Sequence, residues 1–176
     1  MGTNRTGFPG QCVDGGTPGA AAQINGVGAG KVGRSRLQAD GSFQPSLQLV
    51  TTIYVPVATA DRVLDIHVEL TVVADGGPQG VAIIVTEDDG SGETRVGRAN
   101  YDLARANVGD HKSPTFEATP AAPGIYIYRL YVGPAGADGN AVGWRADNPD
   151  PTGIDGFGYL WAYDVAKLSD FADDGH

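Results

Sequence analysis

The stretch RVLDIHVELTVV at residues 62–73 decides how this chain reads. Leu64, Ile66, Val68, Leu70 and Val72 alternate with Asp65, His67, Glu69 and Thr71, and a period of two puts each set on its own face of an extended strand. A strand with one greasy and one wet face belongs to an antiparallel sheet packed on a core. The following DGGP at 75–78 can take positive φ and reverse the chain. Val81, Ile83 and Val85 in 80–86 then form a second apolar row, so the two segments are expected to pair as a hairpin.

The same grammar continues on both sides. Residues 47–57 and 32–37 read as strands upstream. Downstream, DDGSG at 88–92 is a second reversal, followed by a weaker alternation through Val96, Tyr101 and Leu103. Pro114 opens a short run at 115–119, and Pro120 with Pro123-Gly124 closes it. In 125–132, Ile125, Ile127 and Tyr131 share one face while Tyr126, Tyr128, Leu130 and Val132 share the other. Apolar character on both faces predicts a central strand, or one covered by a neighbouring subunit. A short strand around Trp144, a Pro- and Asp-rich connection at 147–156 and a last strand over 157–168 complete the series. That last strand carries Tyr159, Trp161, Tyr163 and Val165 on one face and Leu160 and Ala162 on the other. The pattern predicts an all-β chain, an antiparallel β-sandwich of about eight or nine strands.

Composition agrees: 27 glycines and 11 prolines in 176 residues mean many tight turns and no long helix. The length suits one domain with an appendage. The appendage is the leader, 1–37, where ten glycines from Gly2 to Gly33 leave Ala20, Ala21 and Ala22 as the only apolar cluster. Such a segment buries too little surface to offset an ordering cost of roughly 1–2 kcal/mol per residue, so it is expected to take shape only against other polypeptides. The sandwich is placed at 38–168, and the acidic residues 169–176 are expected to fray.

Charge excludes two partner classes. With 21 acidic against 12 basic residues the net charge is -9, which disfavours nucleic acid and anionic membrane surfaces. No run approaches the length of an apolar membrane span and no secretory leader is visible, so a soluble protein is expected. Cys12 has no second cysteine with which to form an internal disulfide.

Catalytic chemistry finds little support in the residues. His67 lies on a wet strand face, His111 in a loop and His176 at the end, and no Gly-x-Ser-x-Gly elbow is present. The run Gly26-x-Gly28-x-Gly30-Lys31 is followed by Val32 and misses the spacing of a phosphate loop. Asp88, Asp89 and Glu93, with Glu87 beside them, are the best carboxylates for calcium. They lack the spacing of a calcium loop and read as a solvated hairpin turn, as does the group Asp147, Asp150 and Asp155. The expectation is a non-enzymatic protein with no metal and no cofactor. Trp144, Tyr159, Trp161 and Tyr163 form an aromatic set for core packing, subunit contact or a sugar-binding face.

Four segments carry a family resemblance: Asp61-Arg62-Val63-Leu64 entering its strand, residues 81–90 (VAIIVTEDDG), Pro123-Gly124 before Ile125-Tyr126-Ile127-Tyr128-Arg129, and residues 158–165 (GYLWAYDV). Together they resemble the β-sandwich domains of virion proteins in actinobacterial tailed bacteriophages, often minor tail proteins. The fold of those domains is similar to trimeric tumour-necrosis-factor-like jelly rolls. The resemblance implies a jelly-roll-like domain displayed on a tail tip, fibre or capsid surface, assembled into the virion in the host cytoplasm. It also implies attachment to other virion proteins through the N-terminal segment and a homo-oligomer, trimer or ring. It carries no active-site residues. Capsid decoration and a carbohydrate-binding module that contacts the host surface are the rival readings, the latter through Trp144, Trp161 or the acidic loops. A hydrolase has least support.

Overall fold

The computed structural model describes residues 30–37, 39–76, 79–103, 109–136, 140–148 and 156–167. Thirteen strands run through them in chain order: β1 Gly30–Arg36, β2 Gly41–Gln44, β3 Gln48–Val57, β4 Arg62–Ala74, β5 Gln79–Asp88, β6 Glu93–Leu103, β7 Asp110–Lys112, β8 Thr115–Ala118, β9 Gly124–Pro134, β10 Val142–Arg145, β11 Asp147–Asn148, β12 Gly156–Phe157 and β13 Tyr159–Lys167. No helix occurs among the described residues.

Most of the short strands are halves of longer ranks. Along one edge of β4, β13 pairs with residues 62–69 and β10 with residues 71–74, so these two lie end to end. The excursion between them closes on itself through the β11–β12 pairing and a Gly158 N–H to Ala146 carbonyl bond of 2.9 Å. Along the other edge, β8 and β7 follow one another across Pro114, whose carbonyl accepts from Val68 N–H at 3.0 Å. Outside β13 and β10 run β1 and then β2. Three ranks therefore break at nearly the same level while β4, the longest strand, runs through and holds them in register. The first sheet has the order β1β2, β10β13, β4, β7β8, and the second the order β3, β9, β5, β6.

Counted by rank in chain order, the sheets read 1-8-3-6 and 2-7-4-5, which is the double Greek key of a jelly roll. The predicted sandwich is therefore observed, and β9 is central, between β3 and β5. Two expectations change. The segments 62–73 and 80–86 form no hairpin: β4 and β5 lie in opposite sheets. Asp75 anchors the crossing, donating its N–H to the Ala141 carbonyl at 3.1 Å while its carboxylate accepts from Ala141 N–H at 2.9 Å. Both apolar rows still face one core, but from either side of it. The sandwich also begins at Gly30, not at residue 38, because β1 pairs with β13 and Val32 and Leu37 are buried. Residues 1–29 of the expected arm and the tail 169–176 lie outside the described residues.

The core lies between the sheets. Leu64, Ile66, Val68, Leu70 and Val72 of β4 meet Val81, Ile83 and Val85 of β5 and Tyr128, Leu130 and Val132 of β9. At one edge of the core the Arg62 guanidinium holds Asp164 with two nitrogens, Nε lying 2.9 and 3.0 Å from the two carboxylate oxygens, and both residues are buried.

Candidate functional site

Residues directly opposed on antiparallel strands share a face, so the β4–β13 register assembles the outer surface of the first sheet. Asp65 faces Tyr163, His67 faces Trp161 and Glu69 faces Tyr159. On the far side of the aromatic row, Arg34 and Arg36 of β1 oppose Trp161 and Tyr159. The result is a shallow groove of about 670 Å³, lined by Asp65, His67, Glu69, Trp161 and Tyr163, with Asp164 and Val165 also in its wall.

The rings are ordered by one another. Tyr159 and Trp161 stack at 5.3 Å between centroids and 18° between planes. The Arg34 guanidinium lies 4.4 Å from the Tyr159 centroid, a cation–π contact. Farther along, Trp161 and Tyr163 turn nearly perpendicular, at 5.9 Å and 74°, and His67 meets Tyr163 at 5.3 Å and 79°. The Thr115 hydroxyl holds His67 Nδ1 at 3.1 Å.

Of the four aromatic residues singled out by sequence, three stand together and Trp144 stands apart. Trp144 opposes Val72, on the core-facing side of the sheet. Its ring covers Gly41, where a Cβ would come within 2.3 Å of the indole, and its Nε1 donates to the Ala39 carbonyl at 3.3 Å. The excursion at 146–158 lets the chain resume with Tyr159 on the opposite face. Asp65 and Glu69 were read from sequence only as wet-face residues. Their alternation was visible, but their aromatic neighbours follow from the pairing of β4 with a strand about ninety residues later.

The acidic turn forms an internal network. Asp88 accepts from Gly90 N–H at 2.9 Å and from Arg129 at 3.1 Å. Asp89 accepts from the Ser91 hydroxyl at 2.6 Å and the Ser91 N–H at 2.9 Å. Glu93 accepts from Thr86 at 2.6 Å and Arg129 at 3.3 Å. Gly90 and Gly92, at φ 97° and 137°, supply the left-handed backbone that the reversal needs. Among the described residues no three His, Cys, Asp or Glu side chains gather to hold a metal ion.

These bonds favour the ionised carboxylates. The Gly90 N–H and Arg129 hold Asp88 below its ordinary value, Ser91 does so for Asp89, and the Thr86 hydroxyl does so for Glu93. A carboxyl whose pKa is depressed on folding stabilises above its unfolded pKa, and the contribution is lost as pH falls through the folded one. The melting temperature should therefore drop as pH falls below the ordinary carboxylate range. In Asp88→Asn/Glu93→Gln the drop should be shallower. Thermal unfolding across that range checks this, and parallel curves for the two proteins would refute it.

No family model matches the sequence, and no curated protein matches it. Among solved structures, a chain of infectious bursal disease virus Gt strain is 14% identical, with a TM-score of 0.42 over 76% of this chain and 37% of that one. Dimeric latent PorU from Porphyromonas gingivalis is 10% identical at a TM-score of 0.41 over 71% of this chain, which spans only 11% of PorU. The CBM22-1 xylan-binding domain of Paenibacillus barcinonensis Xyn10C is 11% identical at 0.37, over 74% of this chain and 89% of that domain. Likenesses this distant assign no function. The class defined by strand order and site is an antiparallel jelly-roll domain with an aromatic, acidic groove on one outer face.

Proposed function

We propose that the protein is a non-enzymatic structural subunit of a tailed bacteriophage particle, a minor tail or tail-tip component whose jelly roll is displayed on the virion. The observation that carries this reading is an apolar corner. Phe43, Leu47 and Leu49, at 41%, 51% and 50% exposure, lie within the passage from β2 to β3. Large apolar side chains left in water at neighbouring positions of the chain suit a protein contact. The resemblance of 61–168 to virion sandwich domains supports the same role, and the leader enters the fold at β1, an outer rank of its sheet. In this reading residues 1–29 bind neighbouring virion proteins, and the corner packs in a trimer or ring of this chain.

Removing residues 1–29 keeps every strand among the described residues, the first of which begins at Gly30. The truncated protein should fold but be lost from particles, and unimpaired incorporation would refute the anchoring role. Leu47→Asp/Leu49→Asp should convert the oligomer to single chains at micromolar concentration, as read by analytical ultracentrifugation. A handful of copies per particle identifies a tail subunit, and hundreds would identify a capsid decoration protein instead.

The groove favours a second reading, in which the displayed domain binds a glycan of the host surface. Retention on cell-wall polysaccharide should be lost in Trp161→Ala while circular dichroism is unchanged.

A further inference from the structure

We infer that the outer-face groove takes an oligosaccharide carrying free amino groups, with its ammonium groups held by Asp65 and Glu69. The inference rests on the glycan-binding reading and names its ligand class.

The aromatic row by itself is poorly arranged for a neutral sugar. Stacking on a pyranose needs a flat ring face turned to solvent, and the Tyr159 ring is already engaged, by the Arg34 guanidinium and by stacking with Trp161. What the row offers toward the groove is a corner, where Trp161 and Tyr163 stand nearly perpendicular and His67 meets Tyr163 edge-on. Perpendicular aromatic walls suit a cation, which is drawn to the negative ring face.

The charges point the same way. Asp65 and Glu69 are half-buried, and neither carboxylate has a hydrogen-bond or ion-pair partner among the described residues. Two of the nearby cations are engaged elsewhere, since Arg62 holds Asp164 in the interior and Arg34 lies on Tyr159 across the row. Two partly desolvated anions beside aromatic walls, in a protein of net charge -9, attract positive charge to this groove.

Spacing favours a polymer over a single ammonium ion. Asp65 and Glu69 are four residues apart on one strand, about 13 Å, which is longer than one sugar ring. Midway lies His67, whose Nδ1 is held by Thr115. That bond leaves Nε2 to serve a sugar hydroxyl between the two carboxylates.

The test is calorimetric titration of the full chain with three probes: a glucosamine oligomer of the chitosan type, its fully N-acetylated counterpart and a lysine oligomer of similar length. The pH is one at which carboxylates and sugar amines are both charged. The glucosamine oligomer should bind, more weakly at high salt, and the other two should bind at least about tenfold more weakly. Asp65→Asn/Glu69→Gln, which keeps side-chain shape, should lower affinity about tenfold or more, as loss of hydrogen bonds to charged groups implies. Equal or tighter binding of the N-acetylated oligomer would overturn the inference while leaving the glycan reading intact. Equal binding of the lysine oligomer would overturn it by showing charge attraction without sugar recognition. Full affinity in the double variant would overturn it too, as would heatless titration with the glucosamine oligomer, and a wild-type protein not retained on cell-wall polysaccharide would remove the glycan reading as well.

Discussion

Asp164→Ala is expected to destabilise the sandwich by about 3–5 kcal/mol, because it strands the Arg62 guanidinium in the interior. Both residues are more than nine-tenths buried. The guanidinium engages the carboxylate through Nε and Nη2 together, a planar match that no other residue type reproduces. Arg62 opens β4 and Asp164 lies near the end of β13, so the pair ties the two central ranks together where β13 also bulges, between Asp164 and Ala166. A loss of that size is a large share of the 5–15 kcal/mol typical of a whole domain. The double replacement Arg62→Met/Asp164→Leu should recover most of it, because removing both charges removes the desolvation penalty that the single variant exposes. Chemical denaturation of all three proteins checks this. A single variant that costs less than about 1 kcal/mol, as a surface pair would, would mean that water reaches the guanidinium.

The faces of the strands were legible in the sequence, and their neighbours were not. Alternation in 62–73 correctly separates Leu64, Ile66 and Val68 from Asp65, His67 and Glu69, and the two apolar faces of 125–132 correctly predict a central strand. Period two says which side chains point inward. It does not say whether two consecutive inward rows lie side by side or face one another, and for β4 and β5 they face one another. The turn at 88–92 differs because its short DDGSG run leaves β5 and β6 no separation over which to diverge, and they pair as Asp88 with Glu93.

The candidate site was half legible for the same reason. Tyr159, Trp161 and Tyr163 share parity within one unbroken strand, so their common face could be read directly. Trp144 could not be placed with them or apart from them, because parity does not survive the excursion at 146–158. The carboxylates of the groove depend on a pairing between residues 62–69 and 159–167 that no local signal encodes. Glycine content misplaced the domain boundary. Gly33 reads as leader by composition, yet it lies inside β1, and a Cβ there would come within 2.9 Å of Val55. Close packing against the second sheet, not flexibility, accounts for that glycine.

Tyr128→Ala should be nearly as damaging as loss of the ion pair, at about 3–5 kcal/mol. Tyr128 is among the largest side chains with no exposed surface, on the central strand of the second sheet, and removing its ring leaves a cavity that β3 and β5 on either side cannot close. Tyr128→Phe separates the ring from its hydroxyl, which donates to Glu87 at 2.6 Å. Glu87 is only half-buried, so water can replace the lost donor, and the expected cost is about 0.5–1.5 kcal/mol. The two variants also differ from the wild type in alkali. Burial, reinforced by the Glu87 carboxylate, pushes the Tyr128 phenol well above its ordinary pKa of 10.0. As pH rises past that value the unfolded chain releases a proton that the folded chain keeps, so stability falls with pH. Tyr128→Phe removes this proton, and its stability should decline less steeply in alkali. Tyr131, raised in the same direction by burial and Glu93, keeps the decline from vanishing. Denaturant midpoints measured on either side of the ordinary tyrosine pKa would show the difference. Equal slopes for the wild type and Tyr128→Phe would mean that the Tyr128 hydroxyl is open to solvent and that the second sheet is packed more loosely around β9 than its buried rows require.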